Sequence, residues 1–222
     1  MKLEKISTIS MDENIYIYYD ESVNEGIIID PGDNSEKIIH LVDKLNIKIK
    51  AILLTHGHGD HIGAVLAVKD KYKCPVYCHK DEADVLEDSS LNLSGMICGE
   101  IEFSPDFTFN DGDEFQFGNE GNLKVIHTPG HTMGGVCYYD EKNSMLFSGD
   151  TIFYASVGRT DFPAFSKKKG QSEKYTPQQK LEMLVSNIKE KIFVLPEETV
   201  IYPGHGTKTT VGFEKRVNPY CQ

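Results

Sequence analysis

The chain has 222 residues, of which 23 are basic and 34 acidic, so its formal net charge is −11. A chain of this length buries roughly 70% of the surface that its unfolded form exposes, which argues against disorder and repeat architecture. Nucleic-acid partners are disfavoured, because they are held by clustered Lys and Arg side chains. We therefore expect a single domain over residues 1–222.

The N-terminus and the cysteines bear on the cellular compartment. Three of residues 1–5 are charged, and no apolar stretch or cleavage site follows them, so we expect a cytoplasmic protein. No apolar run approaches the ~18 residues of a membrane-spanning helix, so no membrane partner is expected. The cysteines contain no CxxC pair and are expected to be reduced; they are Cys74, Cys78, Cys98, Cys137 and Cys221.

The first part of the chain is predicted to alternate strands with helices. Hydrophobic periodicity indicates strands over residues 14–19, 26–29, 49–54 and 75–78, helices over 35–45 and 63–72, and a helical turn over 82–86. The stretch from 26 to 54 is therefore a strand, helix, strand unit.

The later part is predicted to consist mainly of strands, followed by one helix and a last strand. The strands cover residues 107–109, 114–117, 123–127, 136–139 and 144–147, the helix 177–189 and the last strand 199–202. Two similar halves of this kind suggest two sheets sandwiched between helices. Residues 165–176 are rich in Lys, Ser, Gly and Gln and are predicted to form an exposed loop.

Residues 55–61 carry the strongest chemical signal. They read Thr-His-Gly-His-Gly-Asp-His and begin where an apolar strand ends. Imidazole nitrogens and Asp oxygens are common ligands of zinc and similar metals, and three imidazoles with a carboxylate are hard to explain as packing. We expect His56 and His58 to point at one metal, with Asp60 and His61 facing a second.

Three further residues follow apolar strands beside glycine in the same way. His131 follows Pro-Gly, Asp150 follows Ser-Gly, and His205 lies within Pro-Gly-His-Gly. Loops at strand ends are where a scaffold places reactive groups. We therefore predict seven metal ligands, namely His56, His58 and His131 on one side, Asp60, His61 and His205 on the other, and Asp150 between them.

Seven ligands suit two divalent metals ~3.5 to 4 Å apart that share a carboxylate and a bridging water. Two adjacent dications lower the pKa of that water, so no protein nucleophile is needed. Zinc is the first expectation, and iron or manganese accept the same ligands. Asp60 and Asp150 are accordingly predicted to be catalytic as well as metal-binding.

The pattern resembles the metallo-β-lactamase fold superfamily, whose hallmark is Thr-His-x-His-x-Asp-His followed by a distant His, Asp and His. The resemblance implies an α/β fold, a four-layered αβ/βα sandwich with the site at the edge of the two sheets. It also implies that Asp30, in Ile-Asp-Pro-Gly, supports a metal-bound histidine.

Within the superfamily, five segments are similar to the short, single-domain bacterial hydroxyacylglutathione hydrolases of the glyoxalase II group. They are residues 127–132, 147–151, 158–163, 202–206 and, as the last, 209–214 with 218–219. The resemblance implies hydrolysis of a thioester such as S-D-lactoylglutathione by a metal-bridging hydroxide, with a metal stabilising the oxyanion and a thiolate leaving. Full-length glyoxalase II enzymes hold glutathione with a C-terminal helical domain, which would begin about where this sequence ends, at Gln222, so the resemblance leaves the identity of the thiol open.

Three residues near the predicted site bear on substrate binding. Arg159 is expected either to pair with Asp161 beside the site or to hold a substrate carboxylate. Lys167, in a run of three lysines, is a candidate contact for an anionic substrate, with solvated lysines as the alternative.

The main rival is a mononuclear iron persulfide dioxygenase of the same superfamily, which also contains a Gly-Arg-Thr-Asp-Phe segment. It would use the equivalents of His56, His131 and Asp150. Residues 203–206, Pro-Gly-His-Gly, favour the hydrolase instead. Antibiotic hydrolysis is disfavoured by His61 and by the lack of an export signal. The partner expected is a small-molecule thioester, and a monomer or homodimer is anticipated.

Overall fold

The computed structural model of the chain describes residues 1–8, 11–162 and 175–222. In the described ranges, two six-stranded sheets dominate the fold. The first contains β1 (Lys2–Ser7), β2 (Asn14–Asp20), β3 (Glu25–Ile29), β4 (Lys48–Leu53), β5 (Val76–His79) and β6 (Phe107–Phe109). The second contains β7 (Glu114–Phe117), β8 (Gly121–His127), β9 (Val136–Asp140), β10 (Met145–Gly149), β13 (Val200–Pro203) and β14 (Thr209–Thr210). A small hairpin joins β11 (Ile152–Phe153) to β12 (Ser156–Val157).

The strand order of the first sheet follows the chain. Strands β1, β2 and β3 pair antiparallel, whereas β3 to β6 pair in parallel. All seven residues of β2 are buried, because both faces of the sheet are covered. The parallel strands therefore end at one edge of the sheet.

The second sheet runs in the order β14, β13, β10, β9, β8 and β7. Strand β10 pairs in parallel with β13 and antiparallel with β9. Consequently β10 and β13 end at the same edge, and the loop between β8 and β9 returns to it.

Helices cover the outer face of each sheet. They are α1 (Ser35–Leu45), α2 (Gly59–Ile62), α3 (Val65–Tyr72), α4 (Ala83–Leu86), α5 (Ser94–Ile97), α6 (Pro177–Asn187) and α7 (Val211–Val217), with a 3-10 turn at Lys80–Glu82 and a π-turn at Ile188–Ile192. Helices α1 and α3 place Ile38, Val42 and Val68 in one core with the first sheet.

A second core lies between the two sheets, and a third under α6. Tyr18, Tyr138 and Phe147 are among the largest side chains of the inner core. Leu184 of α6 packs with Ile188 against the outer face of the second sheet. Helix, sheet, sheet and helix thus form four layers, which confirms the predicted αβ/βα sandwich.

The structure adds elements that the sequence pattern did not predict. Strand β1 carries charged residues on an edge, where charges discourage pairing with other chains, and it therefore lacks a continuous apolar signal. Helix α5 is a single turn, too short for a periodic signal. The predicted helix over 63–72 begins later, at Val65, after the separate turn α2. The predicted loop over 165–176, with Lys167, lies almost wholly outside the described residues.

Among the helices that the structure describes, none is long and apolar enough to span a bilayer.

Candidate metal centre

The seven predicted ligands meet at one edge of the two sheets. Those at 56–61 follow β4 of the first sheet, whereas His131, Asp150 and His205 follow β8, β10 and β13 of the second. Two glycines make room for this convergence. A Cβ on Gly149, whose φ is +46°, would lie 2.2 Å from Thr55 Oγ1, and one on Gly204 would lie 2.3 Å from Asp150 Oδ1.

The first group consists of three buried imidazoles. His131 Nε2 lies 3.3 Å from His56 Nε2 and 2.9 Å from His58 Nδ1. Burial, followed by neighbouring imidazoles, holds the pKa of His56 and His58 well below its usual value, and burial lowers the pKa of His131. These rings stay neutral, so their lone pairs are available to a metal.

The second group is mixed. His61 Nε2 lies 3.3 Å from His205 Nε2, and His205 Nε2 lies 3.3 Å from Asp60 Oδ2. Burial by itself raises the pKa of Asp60, but His61 and the hydrogen bond with His205 outweigh it and bring that pKa to about 2. Asp60 is therefore an anion at neutral pH.

Asp150 lies between the two groups, as predicted. Its Oδ2 is 3.5 Å from His131 Nε2 and 3.7 Å from His205 Nε2, and its Oδ1 is 3.4 Å from His61 Nε2. Burial would raise the pKa of this carboxyl, yet His61 above all holds it well below the usual range. Oδ1 is buried and accepts no hydrogen bond from the part of the chain that the structure describes.

These observations fit two divalent metal ions. Within each histidine group, the potential ligand atoms lie within 4.8 Å of one another. Asp150 Oδ1 has an imidazole nitrogen at 3.4 Å but no hydrogen bond from the described residues, and a buried carboxylate oxygen of this kind is stabilised by a cation between the two groups. Imidazole and carboxylate donors are the ones that zinc, iron and manganese accept.

The outward nitrogen of each of three ligands meets an acceptor. His131 Nδ1 donates to Arg159 O at 2.7 Å, and His205 Nδ1 donates to Met11 O at 3.1 Å. A carbonyl oxygen only accepts, so Nδ1 carries the proton and Nε2 presents a lone pair to the centre. For His61, the partner of Nδ1 is a carboxylate and not a backbone carbonyl.

That carboxylate is Asp30, the residue for which the resemblance implies this role. Its Oδ2 lies 3.0 Å from His61 Nδ1 and accepts from Thr55 Oγ1 at 2.5 Å, while its Oδ1 accepts from Thr55 N at 2.7 Å. Thr55 Oγ1 is in turn 3.1 Å from His56 Nδ1. One carboxylate therefore orients a histidine in each group.

Glu82 is a supporting residue that sequence reasoning missed. Its buried carboxylate accepts from Gly57 N at 2.8 Å and from Gly134 N at 2.9 Å. The first glycine lies between His56 and His58, and the second follows His131. Nothing in the local sequence marks Glu82, because its partners are distant along the chain.

Arg159 and Asp161 pair locally. Arg159 Nε and Nη2 donate to the two oxygens of Asp161 at 2.9 and 2.8 Å, and the guanidinium lies 4.5 Å from the ring centroid of Phe162. Among the described contacts, Asp161 reaches Arg159 and not a predicted metal ligand. The predicted support of the metal centre by Asp161 stays a prediction, since its contact is with the side chain of Arg159, whose carbonyl holds His131.

A cavity of about 590 Å³ opens above the centre. Its floor contains His58, Asp60, His131, Asp150 and His205. Its walls are formed by Arg159 and by the apolar side chains Met11, Leu93, Met96, Ile97, Phe153 and Phe162. The centre is therefore open to a small molecule from this side.

A model of the metallo-beta-lactamase superfamily matches residues 11–205. The chain therefore belongs to this superfamily of metal-dependent enzymes, and the resemblance drawn from the motifs is confirmed.

Two curated relatives narrow the comparison. Hydroxyacylglutathione hydrolase GloC of Haemophilus influenzae is 33% identical over 99% of this chain and 98% of the relative. The probable metallo-hydrolase YqgX of Bacillus subtilis is 37% identical over 91% of this chain and 90% of the relative.

Solved structures agree on the fold. BLEG-1 B3 metallo-beta-lactamase has a TM-score of 0.85 and 37% identity, covering 99% of each chain. TTHA1623 in a di-iron-bound form has a TM-score of 0.78 and 33% identity, covering 98% of this chain and 99% of that one. The related chain TTHA1623 thus holds two irons in that structure.

Proposed function

We propose that the protein is a binuclear metal-dependent hydrolase that cleaves a thioester. The observation that carries the proposal is the position of Asp150, whose carboxylate lies between two histidine groups and leaves one buried oxygen without a hydrogen bond. The proposed ligands are His56, His58 and His131 for one ion, Asp60, His61 and His205 for the other, and Asp150 for both.

The protein's own residues then prepare the reaction. Bound divalent ions would supply hydroxide at neutral pH and polarise a carbonyl oxygen. Asp30 and the carbonyls of Arg159 and Met11 fix the histidine rings. The apolar cavity walls exclude water from a bound substrate, which strengthens electrostatic interactions at the floor. A thiolate leaves easily, so no strong general acid is required.

The relatives support this class of substrate. GloC is named for hydrolysis of hydroxyacylglutathione, which is a thioester, and it matches this chain over nearly its whole length. Zinc is the first expectation for the metal, although the di-iron form of TTHA1623 favours testing iron equally.

We further propose that the chain works as one domain over residues 1–222, in the cytoplasm, as a monomer or homodimer.

The test combines metal analysis with turnover. Protein purified without chelators is expected to contain about two equivalents of zinc, iron or manganese and to hydrolyse S-D-lactoylglutathione or a related thioester. Asp150→Ala should lose metal and turnover together, whereas His40→Ala, on the exposed face of α1, should keep both. One equivalent of iron with oxygen uptake on a persulfide would contradict the proposal and favour the dioxygenase.

A second candidate is β-lactam hydrolysis, favoured by the likeness to BLEG-1 B3 metallo-beta-lactamase. A chromogenic cephalosporin in the same assay measures it. Because the ring amide lacks a thiolate leaving group, we expect kcat/KM for the cephalosporin to be lower than for the thioester.

A further inference from the structure

The cavity above the metal centre has an apolar rim that is unusually exposed. Met96 on α5 is 87% exposed and Met11 is 46% exposed. Leu93 and Ile97 continue the wall from Met96, and Phe153 and Phe162 lie among the remaining wall residues. Contiguous apolar surface beside a polar site marks a place where a ligand is bound.

The same walls offer little to an anion. Among the described residues that line the cavity, Arg159 is the only arginine, and there is no lysine. Its guanidinium donates to both oxygens of Asp161 and lies over the ring of Phe162. A negatively charged group that lies against the described walls, away from the metal centre, would therefore meet apolar side chains and a guanidinium shared with Asp161.

Glutathione thioesters carry two carboxylates beyond the reacting carbonyl. Such groups need charge-assisted partners, and they lose hydration without compensation when they enter an apolar cavity. An uncharged aliphatic or aromatic group gains contact with Met96, Leu93 and Ile97 and covers their exposed surface. The walls therefore discriminate between these two classes of thioester.

We propose, on the basis of the thioesterase function above, that the preferred substrates are thioesters bearing an uncharged apolar group that lies against the α5 wall. The group can belong to the acyl or to the thiol side of the thioester. The specificity-determining residues are Leu93, Met96 and Ile97.

Four substrates test the preference. S-D-lactoylglutathione is compared with the lactoyl thioester of 2-phenylethanethiol, with S-phenylacetylglutathione and with the phenylacetyl thioester of 2-phenylethanethiol. Each kcat/KM is divided by the rate constant of alkaline hydrolysis, which removes intrinsic reactivity. We expect at least one compound with an apolar group to exceed S-D-lactoylglutathione by at least about tenfold, and the two single replacements show which side carries it.

A variant pair assigns the preference to the wall. Met96→Lys introduces a cation at a solvent-exposed position, so folding should be retained. We expect it to lower kcat/KM for the preferred apolar substrate about tenfold and to raise that for S-D-lactoylglutathione. Met96→Leu should keep the apolar preference. Val194→Lys, at a residue 70% exposed that does not line this cavity, should change neither value.

Two results would overturn the inference in different ways. If S-D-lactoylglutathione is the best substrate, or if Met96→Lys leaves the ratio unchanged, the apolar specificity is wrong while the hydrolase proposal stands. If protein with two metal equivalents hydrolyses none of the four thioesters, the proposed function itself fails.

Discussion

Asp30 shows at the scale of one residue how the centre is held. Its two oxygens meet three donors on Thr55 and His61. The sequence made this residue predictable, because its place in Ile-Asp-Pro-Gly resembles a family motif. The contact of Thr55 Oγ1 with both Asp30 and His56 Nδ1 was not predictable, because it depends on side-chain rotamers on two neighbouring strands.

The substitution Asp30→Asn is expected to weaken metal binding about 10- to 100-fold. An amide has one accepting oxygen, so either His61 Nδ1 or Thr55 would face an NH2 group instead of an acceptor. Competition with a chromophoric chelator measures the affinity of each site. Asp33→Asn, at an exposed aspartate in the same loop, is the control and should leave the affinity unchanged. Equal affinities for the two variants would contradict the role given to Asp30.

At the scale of elements, Glu82 links two ligand-bearing loops. Glu82→Gln keeps the shape but offers one accepting oxygen to two backbone N–H groups, at Gly57 and Gly134. A buried donor without a partner costs about 1–3 kcal/mol, so we expect a loss of that size in the free energy of unfolding. Urea titration of the variant and of Asp84→Asn, at an exposed residue of α4, tests this. A loss common to both variants would show that the Glu82 hydrogen bonds are not the cause.

The ends of β5 and β8 meet through a pair of imidazoles. The rings of His79 and His127 stack with centroids 3.9 Å apart and planes at 15°. Burial and then the neighbouring His127 lower the pKa of His79 to about 4. An unfolded histidine titrates near its ordinary value of 6.5, so the unfolded chain binds this proton first as the pH falls. The contribution of neutral His79 to the free energy of unfolding is therefore fully present above about pH 6.5 and is lost as the pH falls toward 4.

Replacing His79 with Phe keeps a stacking ring and removes the titration. Between pH 7 and pH 5 the variant should lose less stability than the parent, by on the order of 1 kcal/mol. Urea unfolding at both pH values measures the difference, and other titrating groups cancel in the comparison. His40→Phe, at an exposed histidine of α1, should behave like the parent. An identical pH dependence in His79→Phe would refute the assignment.

At the scale of the whole molecule, the four layers were predictable because most of the longer strands and helices carry a strong period and turn signals, whereas β1 and α5 do not. The residues that meet at the sheet edge were predictable as a group, since each follows an apolar strand beside glycine. The cavity was not, because Met11, Met96 and Phe162 come from separate loops and a single-turn helix. Their shared position depends on how the sheets pack, and no local pattern contains it.

Convergence of strand ends from both sheets also makes metal binding depend on the folded state. An unfolded chain does not hold the seven proposed ligands together, so we expect metal to bind the native form and to stabilise it by RT ln(1 + [M]/Kd), about 4 kcal/mol at a thousandfold excess over Kd. For a chain of this size, that corresponds to a shift in Tm of about 10 °C. Calorimetry with and without a chelator should show this decrease in the parent and in His40→Ala. In Asp150→Ala the chelator should have little effect, because the residue between the two groups is gone. An equal decrease in Asp150→Ala would mean that the stabilising metal binds elsewhere.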